Sequence, residues 1–464
     1  MSGVLLDTSI ILDDVENVCY VFQSYEKQIF ISDIVIEELD RHKNFDNQNG
    51  YFAREFFRCI KEENAPIYEG APPMQGDFFK VVLFEKNSLQ IPIILIHRQK
   101  YRTSTQEYGL NDSKIAEIAQ DYHFTLLSND IALKIRLLAR GVESKSLYRD
   151  RVEDPKKIDF WQRFSIHKEE NMQEALSQNP QFLQMSNWGL IEIAEKDSTG
   201  SSSYLTGRKF YGIKNNGKLE LLNFDEILKS TQPYILPMNL EQKMLYALLI
   251  HPQNTITIVS GSTGSGKTLM ALQAGIHLVK NKVVDGILYL RNTVTANDSA
   301  AELGYRKGDE QQKLHYFMYP LFSAVNFTIH TLQAQSLAKR IEYRGEVNTL
   351  EKEDATEYFL QKHKIEVIDI AHARGITISN KFVIFDEVQN ASNATLKLIG
   401  TRIGENSRIC FLGDWKQIDH PFLSKFRNGA VSLLQKALSK DGIAGIKLKQ
   451  VIRSEVATFF EENF

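Results

Sequence analysis

Gly261-Ser-Thr-Gly-Ser-Gly-Lys-Thr268 lies between the apolar run Ile256-Thr-Ile-Val-Ser260 and Leu269-Met-Ala-Leu-Gln-Ala274. A strand, a glycine-rich turn and a helix start in that order are the setting a phosphate-binding loop requires. The glycines let successive backbone N–H groups converge on one anion, and the helix N-terminus adds partial positive charge. Gly261, Ser262, Thr263, Gly264, Ser265 and Gly266 are therefore expected around the phosphates of a nucleotide. Lys267 would reach the terminal phosphates, and Thr268 would offer its hydroxyl to Mg²⁺. The surrounding C-terminal region, residues 233–464, reads as an α/β P-loop NTPase domain.

Two further strands carry polar tips suited to that loop. Lys381-Phe-Val-Ile-Phe-Asp-Glu387 ends in adjacent acids, so Asp386 is expected to hold Mg²⁺ through water and Glu387 to polarise the attacking water. Ile409-Cys-Phe-Leu-Gly-Asp-Trp-Lys-Gln417 places Gln417 near the terminal phosphate, with Asp414 to orient it. Arg402 and Arg453 are candidates to stabilise transition-state charge, one in cis and one across a subunit boundary. Upstream, Asn239-Leu-Glu-Gln-Lys-Met-Leu-Tyr reads as an amphipathic helix whose Gln242 could both give and take a hydrogen bond at the edge of adenine.

The N-terminal region, residues 1–150, alternates strand and helix and reads as a second parallel α/β unit. Val4-Leu-Leu-Asp7 is a short buried strand ending in a carboxylate. Ile29-Phe-Ile-Ser leads into a helix bearing Glu38, Asn111-Asp-Ser starts a helix with Asp112 in its first turn, and Phe124-Thr-Leu-Leu-Ser-Asn-Asp130 is a strand ending in another acid. Ligands collect beyond the carboxyl ends of parallel strands, which would gather Asp7, Glu38, Asp112 and Asp130 in one crevice. Acids also favour helix N-termini for capping and dipole reasons, so each one alone says little. Together they would repel one another unless a divalent ion such as Mg²⁺ or Mn²⁺ joins them, and such an ion can activate water against a phosphodiester. Between about residues 69 and 108 the chain is longer and less regular than this pattern needs and is expected to be an insertion, in the manner of a flap.

Residues 151–232 change texture. Trp188-Gly-Leu-Ile-Glu-Ile, Ser203-Tyr-Leu-Thr-Gly-Arg-Lys-Phe-Tyr-Gly-Ile and Lys218-Leu-Glu-Leu-Leu alternate around turn signals and suggest a linker followed by a small antiparallel β module. Tyr204, Arg208, Lys209, Phe210 and Tyr211 mix basic and aromatic character as a single-strand-binding surface would, although core aromatics with solvated basic edges give the same pattern.

Composition sets outer limits. The 464 residues exceed what one hydrophobic core usually organises, and the formal net charge of -3 gives no global attraction to nucleic acid while leaving room for a local basic channel. No apolar run of about eighteen residues and no signal-peptide order occur, so no membrane partner and a cytoplasmic location are expected. Cys19, Cys59 and Cys410 are widely spaced and odd in number, which favours reduced thiols.

The order of acids at the front resembles the PIN nuclease domain, through Asp7-Thr-Ser, Glu37-Glu-Leu, Asn111-Asp-Ser and Ser128-Asn-Asp. The C-terminal blocks resemble the PhoH-like ATPases, relatives of superfamily 1 helicase motors. They are Arg291-Asn-Thr-Val, Leu303-Gly-Tyr-Arg-Lys-Gly-Asp-Glu, Ala373-Arg-Gly, Phe385-Asp-Glu-Val-Gln-Asn, Thr401-Arg-Ile-Gly, Gly413-Asp-Trp-Lys-Gln-Ile-Asp and Val451-Ile-Arg. The whole chain thus looks like a PIN–PhoH fusion, which implies an ATP-dependent RNA helicase or translocase joined to a metal-dependent endoribonuclease. ATP and Mg²⁺ are the implied cofactors, and the implied partners are single-stranded RNA and further copies of the chain, as a hexamer. An ATP-driven RNA-binding switch without cleavage, or a DNA helicase-nuclease, would use the same residues. Asn297-Asp-Ser-Ala and a charged helical stretch at Thr328 to Glu357 depart from the family pattern.

Overall fold

The computed structural model describes residues 3–45, 48–102, 110–147, 152, 154–199, 202–291, 318–341, 352–370, 373, 375–419 and 423–450. The chain divides into two compact units, Met1–Arg149 and Asp150–Phe464.

The first unit is built on seven strands: β1 (Gly3–Leu6), β2 (Gln28–Ser32), β3 (Ile60–Lys61), β4 (Asp77–Lys86), β5 (Leu89–Arg98), β6 (Thr125–Leu127) and β7 (Ser144–Lys145). Their order is β3-β4-β5-β2-β1-β6-β7. From β5 to β7 all neighbours are parallel, as expected of short, wholly buried strands such as Gly3-Val-Leu-Leu6 joined by helices. Leu6 pairs with both Ile31 and Leu127, so three adjacent strands end close to one level, at Leu6, Ser32 and Leu127. Most of the described part of the stretch expected to be an inserted flap, Asp77–Lys86 and Leu89–Arg98, is instead part of the sheet. β4 and β5 form an antiparallel hairpin, and Ile93 to Ile96 of β5 lie parallel to Ile29 to Ser32 of β2. Buried Ile91, Ile93, Ile94 and Ile96 explain why: left out of the sheet, that strand would expose an apolar face to water. Behind the hairpin, Arg98 is buried and its guanidinium is held by Asp77 and Asp121, at 2.8 and 2.7 Å.

The second unit holds two sheets. The smaller has β8 (Trp161–His167), β9 (Leu190–Thr199), β10 (Ser202–Asn215) and β11 (Lys218–Leu221), in the order β11-β10-β9-β8. It is not wholly antiparallel: β8, a strand absent from the sequence reading, runs parallel to β9. Two short helices, Met172–Ser177 and Pro180–Gln184, occupy the crossover between them, each capped by an asparagine, Asn171 and Asn179. Much of the basic character expected on this module is neutralised. Glu192 pairs with both Lys209 and Arg163, and Asp197 pairs with Lys168. Phe210 and Tyr211 are partly buried against hydrophobic cores, leaving Tyr204 and Arg208 exposed.

The larger sheet contains β12 (Ile256–Gly261), β13 (Gly286–Arg291), β14 (Ile365–Asp369), β15 (Lys381–Asp386), β16 (Arg408–Gly413) and β17 (Ala444–Leu448). All neighbours are parallel in the order β14-β13-β15-β16-β12-β17. The register aligns the functional tips: Ser260 faces Gly413, Gly261 faces Leu448, and Arg291 faces Asp386. The helix Leu240–Ile250 is almost entirely buried rather than amphipathic, with Met244 to Leu249 inside the core. Phe160, Trp188, Leu190 and Ile213 of the small-sheet segment join that same core. The charged helical stretch expected from Thr328 lies partly in the long helix Tyr319–Ile341 and partly in the helix Lys352–Lys362. Asn297-Asp-Ser-Ala falls outside the described residues. Among the described residues no helix is long and apolar enough to cross a membrane.

Candidate functional site

The phosphate loop leaves β12 at Gly261 and enters the helix Lys267–Lys280. Gly264 and Gly266 have φ of +83° and +86°, a region that side chains disfavour, which is why glycine stands there. A Cβ on Gly266 would also lie 2.6 Å from Gln242 Nε2. Gln242 is buried, donates from Nε2 to the Ser265 carbonyl at 3.0 Å and accepts from Met238 N–H at 2.8 Å. The structure therefore places this residue as a brace under the loop. Lys267 Nζ donates to the loop carbonyls of Gly261 and Ser262 at 2.5 and 3.0 Å.

Beside the loop, β15 delivers Asp386, which is 4% exposed. Its Oδ2 accepts from Thr268 Oγ1 at 3.2 Å and from the Tyr289 hydroxyl at 2.6 Å, while Oδ1 accepts from Glu387 N–H at 2.9 Å. Tyr289 belongs to β13 and is fully buried; desolvation first, then the Asp386 charge, pushes its pKa well above the ordinary value. A hydroxyl and a carboxylate brought together at the start of the loop helix are the donor set a Mg²⁺–nucleotide needs, so these residues fit that group.

Glu387 adopts a left-handed backbone, φ +57°, which turns its side chain out of the strand. Its Oε2 accepts from Gln389 Nε2 at 2.5 Å, and Arg291 Nη2 lies 3.4 Å from Oε1. Burial, then the neighbouring Asp386 charge, raises its pKa, against the opposing pull of Arg291, Gln389 and Lys267. Gln417 reaches the loop from beyond β16, its Oε1 accepting from Thr263 Oγ1 at 3.1 Å. The Asp414 carboxylate caps Lys416 N–H at 3.0 Å rather than holding the Gln417 side chain, while the Asp414 carbonyl accepts from the Gln417 backbone N–H at 3.1 Å. Arg402 follows the helix Asn393–Gly400, and its Nε is buried with no hydrogen-bond partner among the described residues. No hydrogen bond joins it to the loop among the described residues. Arg453 lies outside the described residues.

In the first unit, Asp7 follows β1, caps the helix Thr8–Asp13 and is 5% exposed. Its Oδ2 accepts from the hydroxyls of Ser9 and Ser128, at 2.5 and 2.7 Å. Glu38, on the helix Asp33–His42, accepts from Thr8 Oγ1 and, at 2.8 Å, from Asn111 Nδ2. Asp130 caps the helix Ile131–Ala139, accepting from Ala132 and Leu133 N–H at 2.7 and 3.1 Å. Asp112, in the first turn of the helix Leu110–Asp121, pairs with Arg136 at 3.0 Å.

The four acids share one electrostatic field. Burial raises the Asp7 pKa, with Glu38 adding to it. Asp112 is raised by desolvation and then by Asp130, Asp7 and Glu38, with Arg136 opposing. Mutual repulsion of this kind suits a divalent cation. Yet each carboxylate also has a local partner, and among the described residues no three His, Cys, Asp or Glu side chains form a ready-made metal cage.

Several of these residues have no role in the sequence reading: Tyr289, Gln389, Thr8, Asn111, Ser128 and Arg136. Gln389 stands inside Phe385-Asp-Glu-Val-Gln-Asn, and a glutamine two residues after a strand-ending acid pair is a usable signal. Tyr289, in Ile287-Leu-Tyr-Leu290, reads as an ordinary core aromatic; only its buried hydroxyl, which demands a partner, could have marked it.

Comparison with known proteins finds a family match in each half of the chain. The PhoH-like protein family matches residues 234–464, and the PIN domain family matches residues 4–148. The protein PhoH2 of Bacillus subtilis (strain 168) is 25% identical over 477 residues, covering 98% of this chain and 97% of that protein. The protein PhoH2 of Thermobispora bispora is 24% identical over 472 residues, covering 99% and 95%. A PhoH-like protein of Synechocystis is 30% identical over 199 residues, covering 43% of this chain and 52% of its own length. Two families matched in this order, with relatives alignable from end to end, place the chain among the PIN–PhoH fusion proteins, in which a PIN nuclease domain precedes a PhoH-like ATPase domain.

Proposed function

We propose that the second unit hydrolyses ATP to move along or unwind single-stranded RNA, and that the first unit cuts that RNA as a metal-dependent endoribonuclease. The observation that carries this reading is the presence of two acid-based sites of different kind in one chain. One is Asp386 and Glu387 beside a phosphate loop, and the other is the field shared by Asp7, Glu38, Asp112 and Asp130.

At the first site the loop N–H groups and Lys267 would take up the phosphate charge. Thr268 and Asp386 would hold Mg²⁺, which neutralises charge on the transferred phosphoryl group. Glu387 would orient and polarise water, Gln417 would respond to the terminal phosphate, and Gln242 would keep the loop in place while offering its remaining amide hydrogen near adenine. Arg402 and Arg453 would complete the charge stabilisation, one of them from a neighbouring copy in a hexamer. At the second site the four acids would hold Mg²⁺ or Mn²⁺, which supplies an activated water for phosphodiester hydrolysis. The protein would work in the cytoplasm on RNA that its own motor feeds forward.

The deciding experiment incubates purified protein with matched RNA and DNA strands, with and without ATP and Mn²⁺. Mn²⁺-dependent cleavage of RNA, with structured RNA cut only when ATP is present, is the expected result. Cleavage of DNA alone would make the protein a DNA helicase-nuclease, and RNA binding without cleavage would make it an ATP-driven switch. Light scattering should give a mass near six copies; a monomer with full ATPase activity would remove the shared-arginine arrangement.

A further inference from the structure

We infer that Gln389 is a positioning residue that ties the water-polarising carboxylate of Glu387 to the loop carrying Gln417, so that the two parts of the ATP site move as one. The inference rests on the ATPase reading above. Gln389 is 1% exposed and lies in the short 3₁₀ turn Val388–Asn390 that follows Glu387. Its single amide is used in both directions: Nε2 donates to Glu387 Oε2 at 2.5 Å, and Oε1 accepts from Asp414 N–H at 3.1 Å. Asp414 opens the segment after β16, and Gln417 follows it, with its N–H on the Asp414 carbonyl at 3.1 Å.

Three features make this more than a filled space. Asn390 grips the far end of the same segment, its Oδ1 accepting from Asp419 N–H at 2.8 Å and its Nδ2 donating to Asp419 Oδ2 at 3.2 Å. Gly413 leaves room for the Gln389 amide, since a Cβ there would stand 2.6 Å from Gln389 Oε1. Arg291 Nη2 stands 3.4 Å from the other oxygen of Glu387, so Gln389 makes the shorter of these two contacts with the carboxylate. A glutamine can serve as donor and acceptor at once, which leucine, methionine or a carboxylate cannot do. A shift of the Asp414–Gln417 segment is therefore passed through one buried amide to the group that handles water.

The test is a double-mutant cycle in steady-state ATPase assays. Gln389→Met keeps the volume and removes both hydrogen bonds. It should lower kcat by about 10- to 100-fold, the usual effect of losing a hydrogen bond to a charged group, and leave KM for ATP within about twofold. In a Glu387→Gln background the same change should cost less than about twofold more, because the carboxylate it aims is gone. Gln389→Glu, which still accepts from Asp414 N–H, repeats the cycle if the methionine variant unfolds. Wild-type turnover in either folded variant, or losses that multiply with Glu387→Gln, would overturn the inference. A wild-type protein whose ATP turnover ignores Glu387→Gln would instead remove the ATPase reading on which it rests.

Discussion

The Tyr289 hydroxyl lies 2.6 Å from Asp386 Oδ2 and donates to it from the neighbouring strand. With Thr268 on the same oxygen and Glu387 N–H on the other, the carboxylate is fixed in one rotamer. Tyr289→Phe deletes only this bond and keeps the ring in its buried place. A hydrogen bond to a charged group contributes about 1.5–3 kcal/mol, part of which goes to aiming Asp386 rather than to folding. The Mg²⁺ concentration for half-maximal ATP turnover should therefore rise by about three- to tenfold, with KM for ATP at saturating Mg²⁺ little changed. An unaltered Mg²⁺ titration would leave Tyr289 with a packing role only.

This relationship also marks where sequence ceases to be a guide. The loop Gly261 to Thr268 and the pair Asp386–Glu387 announce themselves because phosphate chemistry demands fixed residue types at fixed spacing. Tyr289 acts on Asp386, and Gln389 on Asp414, through contacts made by parallel strand order, and no local pattern records which strands become neighbours. The same holds for β5, whose pairing with β2 joins segments some sixty positions apart, and for β8, which pairs with β9 across two short helices. Turn signals point to hairpins between consecutive strands, so crossovers escape them. In the first unit, the order of the acids is legible, but their holders Thr8, Asn111 and Ser128 are small polar residues that occur everywhere.

Gly266 offers a test of loop geometry. Its φ of +86° costs an alanine about 1–2 kcal/mol, and the new Cβ would press on Gln242 Nε2. Gly266→Ala should both lower the melting temperature of the second unit and weaken binding of a fluorescent ATP analogue by at least tenfold. Gly400, whose Cβ position is open, is the control: alanine there should leave binding unchanged and stability equal or slightly higher. Equal behaviour of the two variants would show that neither the positive φ nor the Gln242 brace matters.

His363 gives the second unit a pH response away from either site. It packs against Phe359 and Tyr234, with ring centroids 4.5 and 5.6 Å away, and Lys362 and Lys280 add positive charge nearby. Burial first, then those lysines, pulls its pKa from 6.5 down to about 4. Between those values the unfolded chain binds a proton that the folded chain refuses, so stability falls as the pH drops from about 6.5 toward 4 and is complete above that range. Thermal melts of wild type should shift downward across this interval more than those of His363→Phe, which keeps the aromatic packing. Parallel pH curves for the two proteins would rule His363 out as the cause.

Two substitutions should separate the two proposed activities. Lys267→Ala removes the charge proposed to meet the terminal phosphates and should abolish ATP turnover while sparing Mn²⁺-dependent cleavage of unstructured RNA. Asp7→Asn should do the reverse, and its structural cost is small for a definite reason. An asparagine oxygen can still accept from Ser9 N–H, Ser9 Oγ and Ser128 Oγ, and the change removes a charge that burial disfavours. The melting temperature of the first unit should hold or rise while cleavage falls by more than the roughly 10- to 100-fold that loss of a supporting contact costs a metal site. Titration calorimetry with Mn²⁺ alone gives an independent readout, since fewer carboxylates should hold the ion more weakly. Full cleavage by a carefully purified Asp7→Asn sample would place the nuclease elsewhere, and loss of both activities in Lys267→Ala would mean that cutting depends on ATP even where nothing needs unwinding.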